Sequence, residues 1–259
     1  LNTGRNGLAG VGTQTAALAF GGYAPSYTAI TESYDGTTWT EVNDMNTAKV
    51  TMGEAGIQTA ALGFGGNTAA DVNSALTETW NGTNWTEVND LNTGRRKIAG
   101  AGTNTAALAF GSGTPPPRQQ TESWNGTNWT NVNNMNTGRQ SLAGCGTNTA
   151  ALAFGGSPSG AVTELWNGTN WTEVNDLNTA MSELAGIGTQ TAALAFLSAN
   201  TETWNGTNWT ATTVLNTPRG DLAGSGTNTV GLAFGGQPSG ASTEEWNDPG
   251  TITKTITTS

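Results

Sequence analysis

The sequence predicts an all-β fold, a six-bladed β-propeller with four antiparallel strands per blade and one contiguous repeat per blade. The first observation is a segment that recurs six times, beginning at Leu1, Met45, Leu91, Met135, Leu177 and Leu215. The second is the spacing of these copies, 44, 46, 44, 42 and 38 residues, which is typical of propeller repeats. The third is composition, because 37 glycines and only 11% charged residues favour short strands and tight turns over helices.

The repeats fill the chain, so we expect one β-propeller domain over residues 1–259. The predicted blades are the repeats 1–44, 45–90, 91–134, 135–176, 177–214 and 215–259. In the third repeat the pattern predicts strands at 98–102, 106–110, 121–124 and 129–132. The last two strands are joined by the turn Asn125-Gly126-Thr127-Asn128, where Asn-Gly readily supplies a positive φ.

Side-chain size alternates along the predicted second strand. In the third repeat Leu108 and Phe110 lie on one face, and Ala107 and Ala109 lie on the other. We therefore expect the Leu/Phe face of each blade to pack on the alanine face of the next. Glycine and alanine in the first strand suit the crowded axis, and tryptophan in the last two strands suits the wider periphery.

The repeat resembles the kelch motif along essentially the whole chain. A glycine pair follows the second strand at 21–22, 65–66, 155–156 and 235–236, and departs to Gly-Ser at 111–112 and Leu-Ser at 197–198. The third-strand aromatic residues are Tyr34, Trp80, Trp124, Trp166, Trp204 and Trp246, and the fourth-strand tryptophans are Trp39, Trp85, Trp129, Trp171 and Trp209. This resemblance implies a six-bladed kelch-type propeller.

The repeated wording WNGTNWTEVNDLNT is also similar to kelch-like repeat proteins of marine bacteriophages. This second resemblance implies a virion or tail-associated protein, and hence a virion or extracellular location, with other virion proteins as possible partners.

The last repeat differs because no second tryptophan follows Trp246, although the alternation of Ile252, Lys254 and Ile256 still predicts a strand. The chain opens before a first strand and closes on a fourth. We therefore expect blade 6 to pack directly against blade 1, with no strand exchanged.

Variation among the copies is confined to one predicted rim. Between the glycine-pair position and the Thr-Glu that opens the third strand lie 8, 10, 8, 6, 2 and 6 residues, and the remaining 36 residues of each complete period are constant in number. Two variable positions before each first strand adjoin the same rim. The candidate binding residues are Tyr23, Tyr27, Asp71, Asn73, Arg96, Lys97, Arg118, Gln140, Glu183 and Asp221. They predict a recognition surface for a glycan or protein; simple drift of exposed loops is the alternative.

Charge sets further expectations. The net charge of −10 disfavours nucleic acid as a partner. No apolar stretch is long enough for a bilayer, so a soluble protein without a membrane partner is predicted. Seven of the nine basic residues lie at the starts of first strands, which predicts a partly basic collar on the rim. Alternatively, the recurring arginine pairs with the recurring third-strand glutamate.

The chemistry-bearing residues favour a non-enzymatic protein. The chain has no histidine, so the commonest metal ligand and general base are missing, and we expect no catalytic residues, no metal and no cofactor. Cys145 is the only cysteine, which excludes an internal disulfide. The leading hypothesis is a binding propeller, and a purely structural virion module is the alternative. A sialidase-like glycosidase is the third, suggested by the Asp-box-like segment at 33–39.

Overall fold

The computed structural model describes residues 1–69, 71–113, 118–198, 200–238, 240–248 and 254–256, the last three by their backbone alone. These residues form six four-stranded antiparallel sheets arranged around a common axis, so the predicted six-bladed propeller is confirmed. Each sheet comes from one repeat. The described residues contain no helix long and apolar enough to cross a membrane.

The strands are as follows. Blade 1 contains β1 Ala9–Gly12, β2 Ala17–Phe20, the short loop hairpin β3 Tyr23–Ala24 and β4 Ser26–Tyr27, then β5 Thr31–Tyr34 and β6 Trp39–Val42. Blade 2 contains β7 Gly53–Ile57, β8 Ala60–Phe64, β9 Thr77–Trp80 and β10 Trp85–Val88. Blade 3 contains β11 Ala99–Thr103, β12 Ala106–Phe110, β13 Thr121–Trp124 and β14 Trp129–Val132.

The other three blades repeat this plan. Blade 4 contains β15 Ala143–Gly146, β16 Ala151–Phe154, β17 Thr163–Trp166 and β18 Trp171–Val174. Blade 5 contains β19 Ala185–Thr189, β20 Ala192–Leu197, β21 Asn200–Trp204 and β22 Trp209–Ala211. Blade 6 contains β23 Ala223–Gly226, β24 Val230–Phe234, β25 Thr243–Asn247 and β26 Lys254–Ile256. In blade 3 the predicted bounds of the last three strands are confirmed, and the first strand starts one residue later.

The core lies in the seams, the interfaces between neighbouring blades. Leu108 and Phe110 of blade 3 pack in one buried cluster with Ala151 and Ala153 of blade 4, which confirms the predicted complement of large and small faces. At the axis the first strands approach closely. A Cβ at Gly100 would lie 2.1 Å from the carbonyl oxygen of Glu54, so only glycine fits there.

The fourth-strand tryptophan joins each blade to the one before it. The Trp129 ring packs on Phe64 of blade 2 with centroids 4.9 Å apart, and its Nε1–H donates to Thr77 Oγ1 over 3.1 Å. The same bond joins Trp39 to Thr243, Trp85 to Thr31, Trp171 to Thr121 and Trp209 to Thr163. Blade 6 has no fourth-strand tryptophan, because no tryptophan follows Trp246 in the sequence. Thr201 of blade 5 occupies the position that would accept this bond, and its Oγ1 is buried without a hydrogen-bond partner among the described residues.

The ring closes by packing of blade 6 on blade 1, as predicted. All four strands of the blade 6 sheet come from the last repeat. Trp39 contacts Phe234 with ring centroids 5.0 Å apart, and the Leu1 amino group donates to Ala241 O over 2.8 Å.

The expectation of a basic collar is wrong, because most of these residues are buried. Five of them form enclosed ion pairs with the third-strand glutamate of their own blade: Arg5–Glu32, Lys49–Glu78, Arg95–Glu122, Arg139–Glu164 and Arg219–Glu244. The same carboxylate also accepts hydrogen bonds from the Leu/Met-Asn-Thr segment that opens the repeat. Asn92 Nδ2, for example, donates to Glu122 Oε2 over 2.8 Å. The predicted alternative, in which the recurring cation pairs with the third-strand glutamate, therefore holds in five of the six blades.

The turn between the last two strands has the positive φ that its Asn-Gly pair predicts, and the asparagine side chain adds a second contribution. At 125–128 only Gly126 has a positive φ, of 91°. Asn125 acts through its side chain, whose Oδ1 accepts the N–H groups of Thr127 and Asn128 over 2.9 Å each.

Candidate binding rim and axial channel

Two backbone segments of each repeat meet at one end of the ring. In blades 1, 2, 4 and 6 the residue three positions before the first strand pairs with a residue at the start of the loop between the second and third strands. These pairs are Asn6 with Tyr23, Val50 with Asn67, Gln140 with Ser157 and Gly220 with Gln237. The structure therefore places the loops of variable length and the variable positions on the same end, which we call the variable rim.

A closed circle of backbone hydrogen bonds surrounds the axis at this rim. The six residues that form it, the axial ring, are Gly7, Thr51, Lys97, Ser141, Glu183 and Asp221. Each N–H donates to the carbonyl of its counterpart in the preceding blade, over 2.8 to 3.1 Å. All six have φ between 52° and 62°, a left-handed conformation that is uncommon outside glycine. The repeated bond outweighs this local strain and fixes the ring diameter.

The side chains of the axial ring surround the mouth of the axial channel. Lys97 Nζ lies 3.4 Å from Glu183 Oε1, two positions further round the ring, and both groups are partly exposed. Burial and the nearby charge of Glu183 raise the pKa of Asp221, while Lys97 acts in the opposite direction. At the mouth Lys97 therefore pairs with Glu183, and Asp221 lies nearby without an ion pair of its own among the described residues.

Below the mouth the channel is lined by the first strands. One cavity of about 100 Å³ opens behind the axial ring, and a second of about 110 Å³ lies further along the glycine-rich strands. Glu54 lines both cavities. Its counterparts in the other blades are glycines: Gly10, Gly100, Gly144, Gly186 and Gly224. Desolvation in this enclosed space raises the pKa of the Glu54 carboxyl to about 8.

An aromatic and polar cluster lies further out on the rim, across blades 1 to 3. Tyr23 and Tyr27 of the β3–β4 hairpin pack edge to face with centroids 5.9 Å apart, and Tyr23 is 44% exposed. Asn67 Nδ2 donates to the Asp71 carboxylate and lies 3.5 Å from the Tyr27 hydroxyl. Arg96 of blade 3 forms an ion pair with Asp71 over 2.8 Å. We call these five residues the rim patch.

The candidate binding residues fall into distinct groups in the structure. Tyr23, Tyr27, Asp71 and Arg96 belong to the rim patch, and Lys97, Glu183 and Asp221 belong to the axial ring. The other three are not part of either group. Asn73 pairs with Asn67 through its backbone, Gln140 pairs with Ser157, and Arg118 is exposed in the blade 3 loop.

Sequence reasoning missed two residues. Asn67 links the tyrosines to the ion pair, and nothing in its sequence context distinguishes it from other loop asparagines. Glu54 could have been found, because it is the one charged residue at a position where every other repeat has glycine.

No group of three or more potential metal-ligating side chains occurs among the residues that the structure describes. No protein-family model matches the chain, and no curated protein is similar to it. The propeller fold therefore rests on the structure, and the kelch and phage resemblances remain predictions from the repeat sequence.

Proposed function

We propose that this chain is a non-enzymatic recognition propeller that binds a glycan or protein partner at the variable rim, with the rim patch as its main contact. The observation that supports this most is the convergence of loops from three blades on one surface. Tyrosine rings supply apolar faces for a sugar ring or a side chain, and the adjacent amide, carboxylate and guanidinium supply directional hydrogen bonds.

The rim patch is preorganised. Edge-to-face packing holds the two tyrosines, and the Asn67–Asp71–Arg96 chain of hydrogen bonds ties the loops of blades 2 and 3 together. Asn67 itself is buried beneath this cluster, which restrains its side chain. Preorganisation lowers the entropy lost when a ligand binds.

The placement of the arginines supports a non-enzymatic role over a sialidase-like one. A sialidase-type site needs several arginines converging on one pocket with a tyrosine and a carboxylic acid. Here four arginines are buried in ion pairs within four different blades, namely Arg5, Arg95, Arg139 and Arg219. Tyr34 is buried against Trp39, away from the rim.

A glycan array and a cell-binding assay test the proposal. The wild-type chain is expected to bind a defined set of glycans or a surface protein. Tyr23→Ala and Asp71→Asn are expected to weaken that binding about tenfold or more, because each removes a contact worth on the order of 1 to 3 kcal/mol.

Gln237→Ala is the matched control, because Gln237 is an exposed polar residue in the rim loop of blade 6. It should leave binding unchanged. Equal binding by the wild type and both rim-patch variants would contradict the proposed contact surface. Absence of any ligand, together with a rim covered by another chain in an isolated assembly, would favour the structural module.

We also propose a place for the protein in a phage particle, which rests on the similarity of the repeat wording to phage proteins. Mass spectrometry of purified virions that carry this gene should detect the chain among the particle proteins. Its recovery only from the lysate, after particles have been removed, would contradict this placement.

A further inference from the structure

We propose that the axial channel is a second binding site, specific for a linear aliphatic diamine. One ammonium group would meet the Glu54 carboxylate, the alkyl chain would occupy the channel behind the axial ring, and the other ammonium group would lie at the acidic mouth. This inference does not depend on the rim patch.

From the mouth inward, the lining residues of the channel are charged, then apolar, then charged again, which matches a ligand with two charged ends and an apolar middle. Polar and charged side chains of the axial ring surround the mouth. The next level is lined by Leu8, Met52, Ile98, Leu142, Leu184 and Leu222, whose side chains pack mainly in the seams and show only small apolar edges to the channel. Glu54 lies beyond it, where the two cavities adjoin. The cavity of about 100 Å³ exceeds the space that one water molecule needs.

Glu54 has no partner to compensate its charge. Its carboxyl makes no ion pair or hydrogen bond with any described residue, and desolvation is the one influence on its pKa. The other charged groups that face the channel are Lys97, Glu183 and Asp221 at the mouth. Lys97 is already paired with Glu183, so one carboxylate at the mouth and one inside remain for a cation.

The oxygen atoms available in the channel favour an ammonium group over a metal ion as the bound cation. A metal ion needs several oxygen or nitrogen ligands, and the described residues hold no cluster of three. An ammonium group instead donates hydrogen bonds to one carboxylate and to nearby backbone carbonyls, and its alkyl chain can lie along apolar side-chain edges.

Isothermal titration of the purified chain with 1,5-diaminopentane tests the proposal. The wild type should bind the diamine more tightly than pentylamine, and 1,5-pentanediol should not bind. Glu54→Gln should weaken diamine binding about tenfold or more, the loss expected for one hydrogen bond to a charged group. Asp221→Asn should reduce the preference for the diamine over pentylamine.

Proton release gives a second readout. Because the cation requires the ionised carboxylate, binding at pH 7 should release a proton, detected as a buffer-dependent heat, and should tighten as the pH rises to 9. Tyr23→Ala should bind the diamine as the wild type does, so failure of this proposal is separable from failure of the rim patch. No diamine binding by the wild type, or equal binding by a folded Glu54→Gln variant, would overturn it.

Discussion

At the residue scale, five blades contain a buried ion pair between the cation that precedes the first strand and the third-strand glutamate, and blade 5 lacks it. Glu164 pairs with Arg139 over 3.1 Å inside blade 4. In blade 5 the corresponding cation is replaced by buried Met181, and Glu202 keeps only hydrogen bonds, from the backbone and side chain of Asn178 and the backbone of Thr179. Comparing substitutions of Glu164 and Glu202 therefore separates the contribution of the ion pair to stability from that of the hydrogen bonds.

Glu164→Gln should destabilise the protein by about 3 to 5 kcal/mol, because it leaves the buried Arg139 charge without a counter-ion. Glu202→Gln loses similar hydrogen bonds but orphans no charge, so its cost should be about 1 to 3 kcal/mol. Urea unfolding of both variants and the wild type measures the difference. A Glu202→Gln variant as unstable as Glu164→Gln would show that the hydrogen bonds, and not the ion pair, dominate.

At the element scale, sequence periodicity predicted the strands and seams because it reports them directly. The bounds of β12, β13 and β14 and the packing of Phe110 on Ala153 follow from alternation and side-chain volume. Whether Arg139 is buried could not be read from periodicity, because a charged residue beside a variable position fits either an exposed collar or an enclosed pair. The circle of backbone bonds through Thr51 and Lys97 leaves no mark on side-chain pattern either.

One seam differs from the other five. Between blades 5 and 6, Phe196 lies in a cluster that contains Trp246 but no fourth-strand tryptophan, and Thr201 Oγ1 has no partner among the described residues. Among the described residues, this seam therefore lacks the tryptophan packing and the Trp–Thr hydrogen bond that the other five seams share.

Thr121→Val should destabilise the seam between blades 3 and 4 by about 1 to 3 kcal/mol, because it leaves the buried Trp171 Nε1–H without an acceptor. Thr201→Val at the equivalent position of blade 5 should be neutral or stabilising, since it removes an orphaned hydroxyl and keeps the same shape. Thermal unfolding at one pH compares the two variants. Equal losses would show that the hydroxyl of Thr201 has a partner in solution.

At the scale of the whole molecule, the first strands of all six blades line one central channel, so a side chain that enters the channel from one blade is close to the other five. Five blades place glycine at the narrowest level, and the second places Glu54 there. Desolvation of the Glu54 carboxyl inside the ring raises its pKa, so the charge state of one residue is coupled to the closure of the complete ring. Global stability should therefore report its titration.

The sign of this coupling follows from the pKa of Glu54, which burial raises from 4.5 to about 8. Between these values the folded protein keeps the proton and the unfolded chain has lost it, so the folded state binds more protons. The free energy of unfolding should therefore fall as the pH rises from about 4.5 to about 8, and the contribution should be fully present only below that window. Glu54→Gln cannot ionise and should lack this decline. Urea unfolding of both proteins at pH 5, 7 and 9, without amine, isolates the effect, because other titrating groups contribute equally to the two. Parallel pH profiles would show that Glu54 is hydrated in the channel and titrates as an ordinary carboxyl.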